Sequence, residues 1–256
     1  MPRHPFALDA SSPSIIVPLT AHDLPQLEEQ VAALSSRAAE VVHDAVEWRV
    51  DLFAPFIAGG GSDPAPAVSA LHRIAELLPE TPILATFRTI AEGGGADITP
   101  EAYLGLIGAL ASTGLAAAID VEYRHPRAAE AIDVAHAHHT PVVASNHDFH
   151  GTPPVEEIVE RLEAMELAGA EVAKIAVTPR TPAEVLILLD ATERRHRTSG
   201  IPLITMSMGA LGAVTRICGG TFGSAATFAT VGSASAPGQL PAAGVRSALD
   251  LLRTRD

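Results

Sequence analysis

The chain is poorest in the residues that would tie it to thiol, metal or nucleic-acid chemistry. One cysteine, Cys218, in 256 residues leaves no internal disulfide and no zinc site built on cysteines. No H-E-x-x-H pair occurs, and no metal is expected. No G-x-G-x-x-G follows an early strand, which argues against a Rossmann-type dinucleotide site. Only 17 basic side chains stand against 30 acidic ones, for a formal net charge of −13. A general nucleic-acid binder needs a basic footprint, so that class is not expected. No uninterrupted apolar run reaches membrane-spanning length. The stretch from Met1 to Ser14 carries three prolines and no apolar core, so no secretory leader is expected and the location expected is cytoplasmic.

The scarcest common residue is lysine. Of the 17 basic residues, 16 are arginine and one is Lys174. Compositional bias explains the depletion but not where the survivor sits. It lies inside Val172-Ala173-Lys174-Ile175-Ala176-Val177, an apolar strand-like run and a poor setting for a solvated charge. A desolvated lysine can lose its proton and act as an amine nucleophile, which arginine effectively cannot. A strand-end lysine snorkelling to water is the other reading of the same run.

What is abundant is core material: 47% of residues are hydrophobic and the mean hydropathy is +0.24. Apolar runs predict strands at Ser14–Leu19, Ala45–Asp51, Pro82–Arg88, Ala117–Glu122, Pro141–Ser145, Glu171–Val177, Ile201–Met206 and Thr227–Gly232. Helix-compatible segments lie between them, among them Leu24–Val42, Val155–Ala168 and Pro182–Arg197. Asp23-Leu24-Pro25, Thr99-Pro100-Glu101 and Thr181-Pro182-Ala183-Glu184 read as helix starts. Eight strands alternating with about eight helices predict parallel pairing through crossover helices. The expected fold is α/β, a single (β/α)8 TIM barrel over residues 1–256, with residues 1–13 as a flexible N-terminal extension.

In such a barrel the reactive groups come from the carboxyl ends of strands and the loops that follow. Glu47, Arg49 and Asp51 share one strand face, either as an internal salt-bridge ladder or as a polar floor for substrate hydroxyls. Arg88 ends the third predicted strand, and Glu92 follows in a glycine-rich loop. The run Gly93-Gly94-Gly95 lacks a following lysine and hydroxyl, so it reads as a flexible loop rather than a phosphate cradle. His147 sits just past the fifth apolar run, one strand before Lys174, where an imidazole can exchange a proton near neutral pH. Met206 ends the seventh predicted strand, and Met208 and Arg216 follow it. Ser233 to Gln239 is small and polar and suits a lid as well as a plain loop.

A lysine that condenses with a ketone forms an iminium and acidifies the neighbouring C–H. A histidine can take that proton, and arginine can hold a carboxylate through paired hydrogen bonds. The residues thus point to Schiff-base chemistry beside a carbonyl on a small anion. Aldol cleavage and elimination of water both fit.

At these residues the sequence resembles type I 3-dehydroquinate dehydratase, the Schiff-base class. The matching stretches are EWRVD (47–51), FRTIAEGG (87–94), IDVEY (119–123), SNHDFHGTP (145–153), AKIAV (173–177), TMSMG (205–209), TRICGGTFGSAATF (215–228) and SAPGQL (235–240). They run in family order across nearly the whole chain. The resemblance implies a barrel that converts 3-dehydroquinate to 3-dehydroshikimate and water without metal or organic cofactor. By it, Lys174 forms the imine at the C3 ketone. His147 takes the C2 proton and returns it to the departing C1 hydroxyl, and Glu92 matches the acid paired with that histidine. Arg216 and Gln239 match the carboxylate-holding groups, with Ser235 in the lid. Glu47, Arg49 and Arg88 match the contacts to ring hydroxyls. Phe149, Met206, Met208 and Phe228 match apolar pocket walls. A homodimer is the implied assembly, with no membrane or nucleic-acid partner.

The chain departs from the family pattern at Asn146, where many relatives carry an aromatic residue, at Gly220, where a glutamate is frequent, and at Thr20-Ala21-His22-Asp23. All three are expected at pocket edges or the substrate rim. Two other readings predict different features. A Schiff-base class I aldolase on the same barrel would want a phosphate cradle near the last two strands, where Gly219–Ser224 is the one candidate. A non-catalytic barrel binding protein would have lost the lysine or the histidine.

Overall fold

Parallel strands and helices alternate along the computed structural model, which describes residues 6–35, 43–232 and 238–253. Two compact units are distinguished, one built on residues 18–143 and the other on residues 7–17 with residue 144 onward. The first strand, β1 (Ser14–Leu19), contributes residues to both.

The first unit carries α1 (Leu24–Ser35), β2 (Ala45–Arg49), α2 (Ala54–Ile57), α3 (Ala65–Leu77), β3 (Ile83–Thr86), α4 (Pro100–Ser112), β4 (Ala118–Glu122) and α5 (Ala128–Ala137). β2 pairs with β3 and β3 with β4, both parallel, with Glu47 opposite Leu84 and Thr86 opposite Asp120. The reading of Leu24–Val42 as one helix stops at Ser35 in the structure, and residues 36–42 lie outside the described set. β2 also stops early, at Arg49. Val50–Leu52 turn into a 3-10 helix, which takes Asp51 off the strand. Trp48, Phe56, Phe87 and Tyr103 are buried in the core, and Phe87 meets both Phe56 and Tyr103 edge-on at 6.2 Å.

The second unit continues with β5 (Val142–Asp148), whose first two residues belong to the first unit. It then runs through α6 (Val155–Leu167), β6 (Val172–Val177), α7 (Pro182–His196), β7 (Leu203–Ser207), α8 (Gly209–Gly212), α9 (Thr215–Cys218), β8 (Ala226–Thr230), β9 (Leu240–Pro241) and α10 (Ala242–Leu252). Strand order here is β7-β6-β5 and β1-β8-β9. β6 lies parallel to β7 with Lys174 opposite Ile204 and Ala176 opposite Met206, and β1 lies parallel to β8 with Ile16 opposite Phe228. Ahead of β1, Asp9 accepts the Ser11 amide at 2.8 Å in a turn, and Ser14 joins the sheet through the Ala225 carbonyl.

The helix starts read from the sequence are present as side-chain caps. Thr99 accepts the Ala102 amide at 3.2 Å and Thr181 the Glu184 amide at 3.3 Å, each followed by proline. Asp23 accepts the Gln26 amide while Gln26 accepts the His22 amide, a reciprocal cap. Thr20-Ala21-His22-Asp23 therefore forms the entrance to α1. Each such cap is worth about 1 kcal/mol.

Candidate active site

Lys174 is 3% exposed, in the middle of a strand whose six residues are all buried. The apolar run that predicted a strand therefore encloses the amine rather than delivering it to solvent. Residues directly opposite on paired strands point to the same side, so Lys174 and Ala176 share a face with Ile204 and Met206. From β8, Phe228 turns its ring toward the lysine, with Nζ 4.6 Å from the ring centre, a cation–π contact. Met206 and Met208 are each 6% exposed and Phe228 4%.

Arg216 closes this group from α9. Its Nη1 donates to the Phe228 carbonyl oxygen at 3.3 Å and lies 3.7 Å from Met206 Sδ. Burial pushes the guanidinium down to about 10, so it remains a cation at neutral pH. After β7, the Met208 amide donates to the Val177 carbonyl at 2.7 Å, and Gly209 turns the chain at φ +72°. Gly238 packs directly on that turn: a Cβ there would lie 2.2 Å from the Gly209 carbonyl oxygen. This contact brings Gln239, the next residue, to the segment that follows Met208. Ser235 lies outside the described residues.

His147 was expected just beyond a strand. In the structure β5 runs on to Asp148, so the imidazole projects from the strand itself, next to β6. The apolar run ends at Ala144, but the backbone pairing outlasts it because the polar residues that follow have partners. Arg161 on α6 donates to Asn146 Oδ1 at 3.0 Å and to Asp148 Oδ2 at 3.1 Å. Alternation then puts Ser145 and His147 on the opposite face. Asn146 was expected at a pocket edge, and the structure corrects this: its side chain is held on the α6 side. Gly220 was expected at the substrate rim. It instead packs on Pro13, where an added Cβ would lie 2.4 Å from the proline Cγ. Phe149, expected as a pocket wall, is 45% exposed.

The first unit holds a polar cluster of its own residues. Arg88 is buried among three carboxylates: Asp120 at 2.8 Å, Glu122 at 3.1 Å and Glu92 at 3.5 Å. Burial alone would lower the Arg88 pKa, but these charges outweigh it and hold the guanidinium well above its ordinary value. Glu122 also accepts the Thr89 amide and hydroxyl, both at 2.7 Å. Glu47 accepts the Thr86 hydroxyl at 3.0 Å. Arg49 and Asp51 form a two-pronged ion pair with both bonds at 2.7 Å. Asp51 further accepts the Arg88 amide at 3.2 Å and the Gly95 amide at 2.9 Å.

The glycine run, read as a flexible loop, is tightly packed. A Cβ on Gly94 would lie 1.8 Å from the Arg88 carbonyl oxygen, and one on Gly95 would lie 2.5 Å from Leu52. Glycine is required there by close backbone approach. Asp120, Glu122 and Arg161 are the polar residues that sequence reading left out of the site. The signal for the first two was present in Ile119-Asp120-Val121-Glu122, two acids of one parity at a strand end. For Arg161 the local sequence offered only Glu157, four residues earlier on its own helix, since its strand partners lie 13 and 15 positions away. Among the described residues no group of three or more His, Cys, Asp or Glu side chains is placed to hold a metal, and no helix is long and apolar enough to cross a membrane.

The family model described as type I 3-dehydroquinase matches residues 15–256. A 3-dehydroquinate dehydratase of Listeria monocytogenes serotype 4b (strain CLIP80459) is 43% identical over 243 residues, 94% of this chain and 93% of its own. One from Escherichia coli O9:H4 (strain HS) is 42% identical over 250 residues, 96% of each chain. Among solved structures, the type I 3-dehydroquinate dehydratase of Clostridium difficile with covalently modified comenic acid superimposes with a TM-score of 0.88. It is 35% identical, and the match covers 96% of this chain and 94% of that one. The fold class is accordingly α/β, the (β/α)8 barrel of these structures.

Proposed function

The chain belongs to the type I 3-dehydroquinase family, hydro-lyases that act on 3-dehydroquinate, and we propose that it works through an imine on Lys174 with His147 as general acid and base. The observation that carries this reading is the burial of the one lysine against the Phe228 ring, with Arg216 in the same group and His147 on the adjacent strand.

In this scheme the neutral Lys174 amine adds to the C3 ketone, and the carbinolamine loses water to give an iminium. The iminium withdraws electrons from C2, and His147 takes the C2 proton. The resulting enamine expels the C1 hydroxyl, which leaves as water with the proton His147 returns. Hydrolysis of the conjugated iminium frees 3-dehydroshikimate and the amine. Phe228, Met206 and Met208 keep bulk water from the lysine, and Phe149 is assigned with them as a wall residue.

Substrate holding divides by chemistry. Arg216 is a buried cation whose planar fork suits a carboxylate, and Gln239 with Ser235 is assigned to the same group. Glu47, Arg49 and Arg88 are assigned to ring hydroxyls. Their surroundings support this, because carboxylates are acceptors only and hydroxyls supply donors. Glu92 takes the family's acid position. The working form proposed is a cytoplasmic homodimer, which sedimentation of the purified enzyme tests.

The mechanism is tested by incubating the enzyme with 3-dehydroquinate and borohydride and locating the adduct by peptide mass. The expected mark falls on Lys174, and Lys174→Met loses both mark and turnover. Normal turnover by that variant would overturn the imine. His147→Ala is expected to lose multiple turnover while still trapping some imine, and preserved turnover would remove His147 as the base.

A further inference from the structure

We propose that Arg161 is a positioning residue for His147, one that acts through the strand carrying the imidazole and touches no substrate. The inference rests on the reading of His147 as the base. Arg161 is on the inner side of α6, its side chain 8% exposed. One nitrogen, Nη1, reaches both neighbours of His147 at once: Asn146 Oδ1 at 3.0 Å and Asp148 Oδ2 at 3.1 Å. The rest of the guanidinium is held from its own helix by Glu157, which accepts from Nε at 3.1 Å and also from Nη2.

The strand end is pinned further along the same face of the chain. Thr178, just after β6, donates its hydroxyl to the Asp148 carbonyl at 2.9 Å, and its amide donates to the Gly151 carbonyl at 3.1 Å. Asp148 Oδ1 accepts the His150 amide at 3.0 Å. Residues on either side of His147 are thus fixed to the helix layer, and alternation leaves the imidazole one direction to point. The planar fork matters here, because a guanidinium spans two acceptors and a carboxylate in a set geometry where an ammonium is a point charge. Asn146 contributes through its amide oxygen, and an aromatic side chain at that position would offer Arg161 no acceptor.

Without Arg161, a buried amide and a carboxylate lose their shared donor, and the strand end relaxes. A base displaced by about 1 Å loses on the order of 100-fold in rate while substrate binding elsewhere is untouched. The test compares Arg161→Met and Arg161→Lys with the unaltered enzyme for kcat, KM and borohydride trapping at Lys174, with His147→Ala alongside. Arg161→Met is expected to lose roughly 10- to 100-fold in kcat with KM nearly unchanged and the Lys174 adduct still formed, and Arg161→Lys to recover part of the loss.

A folded Arg161→Met with unaltered kcat overturns the proposal. So does a loss of kcat and trapping that only tracks a smaller folded fraction. Should Arg161→Met not fold, Asn146→Ala removes one acceptor alone, and an unaltered kcat there overturns the proposal equally. Preserved multiple turnover in His147→Ala would instead remove the premise, which separates the two failures.

Discussion

Lys174 Nζ lies 4.6 Å from the centre of the Phe228 ring, which β8 contributes two strands further along the chain than β6. The ring excludes water on one side of the amine and places a negative π-face against it. Phe228→Leu keeps apolar bulk and removes that face. It is expected to lower kcat by about 5- to 30-fold, the equivalent of about 1–2 kcal/mol of cation–π stabilisation withdrawn from the cationic iminium. The check is steady-state kinetics beside the rate of borohydride trapping. Equal trapping rates in the two proteins would show that the ring is only a wall.

Arg216 should trade stability for binding. Its folded pKa, about 10, lies below the ordinary arginine value because burial disfavours the charged form. Between those two values the unfolded chain holds the extra proton, so stability rises with pH there, and the residue is a burden at neutral pH that fades above about 10. Arg216→Met is expected to raise Tm by a few degrees at pH 7, for a gain of about 1 kcal/mol. The same variant should raise KM by roughly 10- to 100-fold, the loss of a charge-assisted hydrogen bond to the substrate carboxylate. A lower Tm with unchanged KM would refute both halves.

Asp51 holds three things at once: the Arg49 guanidinium, the Arg88 amide and the Gly95 amide. Asp51→Ala leaves Arg49 without its ion-pair partner and two amides without an acceptor. Removing one member of a buried pair is destabilising by about 3–5 kcal/mol. Urea unfolding should show this as a lower midpoint with unchanged slope, and a stability loss under about 1 kcal/mol would mean that water replaces the carboxylate.

Gly220→Ala separates packing from substrate recognition. An added Cβ would stand 2.4 Å from Pro13 Cγ, so the segment ahead of β1 must shift. The expected result is a loss of about 1–3 kcal/mol in stability with kcat and KM unchanged. A changed KM with unaltered Tm would return the residue to the substrate rim.

The burial of Lys174 and three helix starts were readable in the sequence. Lys174 stood out because a charge inside Val172–Val177 is poorly placed for solvation, its burial excludes the snorkelling alternative, and all three proposed caps formed at the positions read. The errors share a cause. His147 was set beyond a strand, Asn146 at a pocket edge and the Gly93-Gly94-Gly95 run in a flexible loop, because hydrophobic periodicity reports burial by apolar neighbours only. It is silent about polar side chains whose partners come from elsewhere in the chain, such as Arg161 on α6.

The amino-acid order by itself determined the alternation of strands and helices, their caps and the chemistry available, because periodicity, capping and side-chain reactivity are properties of neighbours along the chain. Only the tertiary structure decided which partners met. Arg88 gathers Asp120, Glu122 and Glu92, while Arg216 finds a carbonyl and a thioether, and nothing local distinguishes those two arginines. Their difference follows from parallel pairing, which brings strand ends distant in sequence to one level and leaves burial and charge to be set by what arrives there.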